Sequence, residues 1–177
     1  MKLDPERATL VVIDVQEAFR KAVPGFDRVA AATATLVSGA AAIGIPVVVT
    51  EQYPRGLGET VPEVAEALPD GTATVEKVRF SAVEADGFDL GERDQALVCG
   101  IETHVCVNQT VLDLIDSDLE VHVAADAVGS RAEADRELGL AKMERCGAIL
   151  TSVEMALFEL LGGADAEAFK AVQGLIK

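Results

Sequence analysis

Histidine is nearly missing from this 177-residue chain: His104 and His122 are the only two, against 30 Asp and Glu. The three cysteines, Cys99, Cys106 and Cys146, form no close C-x-x-C pair and share no zinc-ligand spacing with those histidines. A structural zinc site and a disulfide framework are therefore both unexpected. No apolar run approaches the roughly 18 residues that span a bilayer. The charged start, Met1 to Arg7, leads straight into a strand without an apolar h-region. No signal peptide is expected, and the cytoplasm is the expected location. Basic residues are scarce too: 15 Lys and Arg leave a formal net charge of −15. Such a surface repels phosphate backbones and anionic lipid, so neither nucleic acid nor a membrane is an expected partner. The plain reading of that charge is solubility; adaptation to a saline cytoplasm is the other. No G-x-G-x-x-G fingerprint is present, so no dinucleotide cofactor is expected. There is no internal repeat, low-complexity tract or linker, and residues 1–177 read as one domain.

What the chain does have is apolar residues, half of the total, arranged as strand-like runs alternating with helical patterns. That alternation predicts β-α-β units and a parallel sheet. Strands are expected over Ala8–Val15, Val47–Thr50, Thr72–Glu76, Gln95–Cys99, Glu120–Ala124 and Ala148–Thr151. Helices are expected over about Arg28–Ile43, stopped by Gly44, and over Thr103–Ser117, Arg131–Arg145, Ser152–Leu161 and Ala164–Leu175. The predicted class is α/β: a three-layer αβα, doubly wound, Rossmann-like sheet of about six mostly parallel strands. Residues 51–62 form the clearest irregular segment. Leaving the carboxyl end of strand two, it is either a connector or a loop that covers a ligand.

Three of the apolar runs end on reactive side chains. Asp14 closes the first, where a carboxylate beside a core is costly unless paired or used; it is a loop cap or a general base. Lys77 closes the third, as a solvated lysine or as a cation that steadies neighbouring anions. Cys106 lies just past the fourth, at the start of a helix. A lone cysteine is commonly a buried filler, whereas a helix N-terminus favours a thiolate and offers amides to an oxyanion. Ligands of an open parallel sheet bind at the carboxyl edge that these three positions share. Cys99, inside its strand, reads as a small buried hydrophobe, and Cys146, at a helix end, as structural. His104 raises the alternative of a Cys–His dyad, and His122 reads as a sheet-face residue.

The segments Val12-Ile13-Asp14-Val15-Gln16, Lys77 before Phe80-Ser81, and Gly100-Ile101-Glu102-Thr103-His104-Val105-Cys106-Val107 resemble the three signatures of the isochorismatase-like cysteine hydrolases. That superfamily includes nicotinamidases, N-carbamoylsarcosine amidases and isochorismatases. Residues 50–58 and 125–131 resemble the subgroup called isochorismatase domain-containing proteins. The resemblance implies a catalytic Asp14, Lys77 and Cys106, a cis peptide at Ile101–Glu102, and an oxyanion hole made of the Glu102 and Cys106 backbone amides. Phe19 would wall the substrate pocket, with Tyr53 and Phe80 as further wall candidates. The resemblance also implies a homo-oligomer, for which the apolar segment Met155–Leu161 is a candidate interface unless it simply covers the sheet.

One departure from the superfamily is plain. Nicotinamidases carry an Asp-x-His…His metal site in the loop after strand two, and here that loop has Glu51, Gln52 and Tyr53 but no histidine. Oxygen ligands alone hold transition metals poorly, so no metal and no cofactor is expected. The expected activity is hydrolysis of a small-molecule amide or related C–N bond through a thioester. The alternatives are isochorismatase-type hydrolysis of a vinyl ether and a non-catalytic scaffold that keeps the fold.

Overall fold

In the computed structural model, which describes residues 1–72 and 74–177, the apolar runs of the sequence assemble into one six-stranded parallel sheet. The strands are β1 (Ala8–Ile13), β2 (Val47–Gln52), β3 (Thr74–Lys77), β4 (Gln95–Ile101), β5 (Glu120–Gly129) and β6 (Ile149–Thr151), in the order β3-β2-β1-β4-β5-β6. Ala73, within the third strand expected over Thr72–Glu76, lies outside the described residues. Every residue of β1 is buried, as its unbroken hydrophobicity requires of a strand covered on both faces. β1 pairs with β2 from Leu10 opposite Val47 and with β4 from Ala8 opposite Gln95.

Helices cover both faces, giving the three layers expected. On one side α1 (Phe26–Ile43), α3 (Pro62–Ala65), α6 (Val153–Leu161) and α7 (Phe169–Ile176) pack over Leu10, Val12, Val49 and Leu97. Against the other side, α4 (Asn108–Asp116) and α5 (Glu133–Arg145) cover Val11, Ile13, Val98 and Val123. α1 ends where the sequence placed its stop. Gly44, at φ 86°, lets both its own N–H and that of Ile45 return to the Ala40 carbonyl, closing the last turn in a left-handed cap. Ser152 caps α6, its Oγ accepting from the Met155 N–H at 3.2 Å, which contributes about 1 kcal/mol.

Several boundaries differ from the sequence reading. A 3-10 turn at Glu17–Lys21 follows β1, and the segment after β2 is not irregular throughout, since it folds α2 (Pro54–Leu57) before α3. β5 runs five residues beyond its expected end, to Gly129, with a register shift against Val98 and Gly100 of β4. The final helix begins at Phe169 instead of Ala164. Thr103–Val107, expected as the first turn of an α-helix, is a π turn that passes into α4.

Candidate active site

The strand order reverses between β1 and β4, and ligands of such sheets bind in the crevice at that reversal. Asp14 follows β1 there, and the π turn bearing Cys106 follows β4. The two strands approach so closely that a Cβ on Gly100, at φ 122°, would fall onto the Ile13 carbonyl. Only glycine fits this position. Asp14 itself adopts φ 49°, a left-handed turn that Asp tolerates better than a branched residue, and its side chain has no exposed surface.

The carboxylate is fully partnered. Oδ1 accepts from Thr50 Oγ1 at 2.7 Å and Oδ2 from Lys77 Nζ at 2.6 Å. Lys77 reaches in from β3, its side chain equally sealed from solvent, and Nζ also donates to Gln52 Oε1 at 2.8 Å and the Phe80 carbonyl at 3.0 Å. A buried ion pair is tolerable only when its remaining donors and acceptors are satisfied, and β2, lying between β1 and β3, supplies Thr50 and Gln52 for that purpose. The sequence reading missed these two residues. Their signal was a run of Thr50, Glu51 and Gln52 at the end of an otherwise apolar strand.

Two further polar residues, Gln16 and Glu51, shape the surrounding segment. Gln16, fully buried, donates to the carbonyls of Gln52 (3.1 Å) and Gly58 (2.6 Å) and accepts from the Gln52 N–H at 2.8 Å. Glu51 accepts from the Thr60 N–H and hydroxyl at 2.6 and 2.7 Å. These bonds hold residues 52–60 over the strand ends. Among the described residues no group of three or more His, Cys, Asp and Glu side chains is arranged to hold a metal ion.

Cys106 is buried, and it lines a cavity of about 330 Å3 together with Phe19, Leu57, Phe80, Val105 and Arg131. Burial first, then the Asp14 carboxylate, pushes its thiol from 9.0 up to about 12, with Lys77 pulling against them. That direction opposes the thiolate-favouring effect expected of a helix N-terminus, and the turn here is π rather than α.

The remaining predicted residues fall as follows. The Ile101–Glu102 peptide bond is cis. The Glu102 carboxylate is buried and accepts from Arg131 through both its backbone N–H (3.1 Å) and Nε (2.9 Å). Phe19 and Phe80 line the Cys106 cavity. Tyr53 does not; half exposed, it borders a neighbouring groove of about 420 Å3 with Arg55, Glu76 and Arg79, and its ring lies on Gly56, leaving no room there for a Cβ. His104 turns from the thiol toward Ser130, Nδ1 lying 3.0 Å from its Oγ, and Nε2 is 3.8 Å from Asp135. His122 is buried toward the far end of the strands beside Glu120. Cys99 is sealed in β4, and burial pushes its thiol up to about 12. Cys146, read as structural, is exposed beyond the end of α5.

Comparison with known proteins agrees with this geometry. A family model described as the isochorismatase domain matches residues 8–155. The chain is 40% identical to the human isochorismatase domain-containing protein 2 over 176 residues, covering 98% of this chain and 84% of that protein. It is also 40% identical to the secreted isochorismatase effector Isc1 of Phytophthora sojae, over 99% of this chain and 87% of the relative. Among solved structures, the MAR1 ribonuclease of Caenorhabditis elegans superposes with a TM-score of 0.94 at 39% identity, over 99% of this chain and 92% of that one.

Proposed function

The chain belongs to the isochorismatase domain family, and from that membership we propose that residues 1–177 form one cofactor-independent cysteine hydrolase acting on a small amide or related C–N bond. The observation that carries this reading is the position of Cys106. Its thiol faces a cavity, while the carboxylate that acts on it lies sealed behind and is held by Lys77 and Thr50.

A thiol near 12 does not attack as a standing thiolate, so deprotonation is coupled to attack. Asp14 takes the proton as sulphur adds to the substrate carbonyl. The backbone amides of Glu102 and Cys106 receive the oxyanion. Asp14 then returns the proton to the departing nitrogen, leaving an acyl thioester on Cys106, and ammonia or an amine departs. Water, deprotonated by the same carboxylate, adds to the thioester and releases the acid. Lys77 holds Asp14 in place throughout. Phe19 and Phe80 wall the cavity that holds the substrate, and Tyr53 flanks its approach from the adjoining groove.

Ammonia release from a panel of primary amides, with wild type and Cys106→Ala, tests the proposal. Loss of at least a hundredfold in the variant is expected, and equal rates in the two proteins would end it. A second reading is cleavage of a vinyl ether, in which protonation of the substrate and addition of water proceed with no bond to sulphur. Intact-mass trapping separates them, since only the amidase route leaves an acyl group on Cys106.

The nematode neighbour is named a ribonuclease. In this chain a net charge of −15 and a cavity with one lining cation favour a small substrate over a polyanion. The Phytophthora relative is named as secreted. Three free thiols suit a reducing compartment and support the cytoplasm for this chain. No described helix is long and apolar enough to cross a membrane.

A further inference from the structure

Building on the hydrolase reading above, we propose that Arg20 is a positioning residue for the substrate. It clamps three carboxylates from three elements and so holds the Phe19 wall of the Cys106 cavity in place. Phe19 and Ala22 reach that cavity from the 3-10 turn at Glu17–Lys21 and its C-cap. No residue of the turn is buried. A single 3-10 turn without a buried side chain has little stability of its own, so the place of Phe19 depends on what ties the turn down from outside.

Arg20 is that tie. Nε donates to both oxygens of Glu17 within the turn, at 2.9 and 3.1 Å. Nη1 donates to Asp27 of α1 at 2.6 Å, and Nη2 to both oxygens of Glu63 of α3 at 2.9 and 3.0 Å. Cζ lies 5.0 Å from the centre of the buried Phe26 ring, over its face. Each guanidinium nitrogen thus serves a different carboxylate, a planar fork that an ammonium cannot reproduce. Lone surface pairs contribute little, but here the three share one cation that is itself largely covered. The anchor points matter too. α3 continues the segment, residues 52–60, that brings Leu57 to the same cavity. Arg20 therefore sets Phe19 relative to Leu57.

Removing the cation does more than loosen the turn. Glu17, Asp27 and Glu63 are left facing one another, and their repulsion pushes the turn from both helices. All three carboxylates are exposed, so salt screens the attraction in wild type and the repulsion in its absence. The effect of salt on substrate binding then reverses sign. Chemistry is spared, because none of the Arg20 bonds reaches Asp14, Lys77 or Cys106.

The test measures kcat and KM at about 0.05 and 0.5 M KCl for the uncharged amide that wild type turns over fastest in the panel above. Arg20→Met should raise KM about tenfold and leave kcat within about threefold. Added salt should raise KM in wild type and lower it in Arg20→Met. Glu63→Gln, a surface change that removes one tie, should raise KM about threefold, and it decides the matter if Arg20→Met does not fold. Because Arg20 acts through Phe19, neither variant should raise the KM of Phe19→Ala further. An unchanged KM, a kcat that falls as far as KM rises, salt effects of one sign, or additivity with Phe19→Ala overturns the inference and leaves the hydrolase reading standing. If no amide is turned over, that reading falls, and the same variants are compared by the rate at which iodoacetamide alkylates Cys106, followed by peptide mass. Slower alkylation that disappears in the Phe19→Ala background sustains the inference; an unchanged, faster or additive rate overturns it.

Discussion

Replacing Lys77 by Met keeps the aliphatic stem and removes the ammonium, leaving Asp14 as a carboxylate with no exposed surface that accepts from the Thr50 hydroxyl. Breaking one half of a buried pair costs about 3–5 kcal/mol, because an uncompensated charge stays behind. In a domain of this size that lowers Tm by roughly 2–4 °C per kcal/mol, or about 10 °C in total. Urea unfolding followed by circular dichroism at pH 8 measures the loss. Asp14→Asn combined with Lys77→Met removes both charges and should regain most of the loss. A single variant within 1 kcal/mol of wild type at pH 8, or a double variant no more stable than the single, would refute this account of the pair.

Three other outcomes follow from the same structure. Both buried thiols lie at about 12 when folded, against 9.0 ordinarily, so the unfolded state sheds their protons first; stability should be full below about pH 9 and decline toward pH 12, and Cys99→Ala should flatten that slope by about 1.4 kcal/mol per pH unit in urea titrations. An unchanged slope contradicts the burial of Cys99. Gly100→Ala, which drives a Cβ into the Ile13 carbonyl, should cost more than about 4 kcal/mol or prevent soluble expression; a Tm within a few degrees of wild type would be incompatible with that close approach. Met155 and Phe158 stay partly exposed on α6 while Ala156, Leu157 and Leu160 face the core, so light scattering should show a dimer or larger assembly, and a monodisperse monomer would dismiss this face as an interface.

The fold was legible wherever one residue type filled a run. Ala8–Ile13 and Gln95–Ile101 are buried on both faces, and such strands advertise themselves by unbroken hydrophobicity. β5 was cut short because Asp126, which is exposed and accepts from the Val153 N–H at 2.9 Å, interrupts the apolar pattern without ending the ladder. Asp14, Lys77 and Cys106 stood out as reactive side chains terminating apolar runs. What periodicity could not show was how Lys77 divides its donors, since that depends on the register that sets Gln52 opposite Lys77. The state of the thiol was hidden for a related reason. A helix start suggests stabilisation of a thiolate, but the desolvation that outweighs it comes from residues distant in sequence.

Both margins of the sheet are very short: β6 has three residues, and β3 has four with Thr74 and Glu76 turned to solvent. Margins of that length offer little template for strand-to-strand growth between copies, so association of this protein is left to its helical faces. The β3 margin is also moored from inside, because its last residue is Lys77. Fraying of that strand pulls the ammonium from Asp14 and dismantles the candidate site in the same event that bares the flank of β2. Heat inactivation and the onset of aggregation should therefore begin at one temperature.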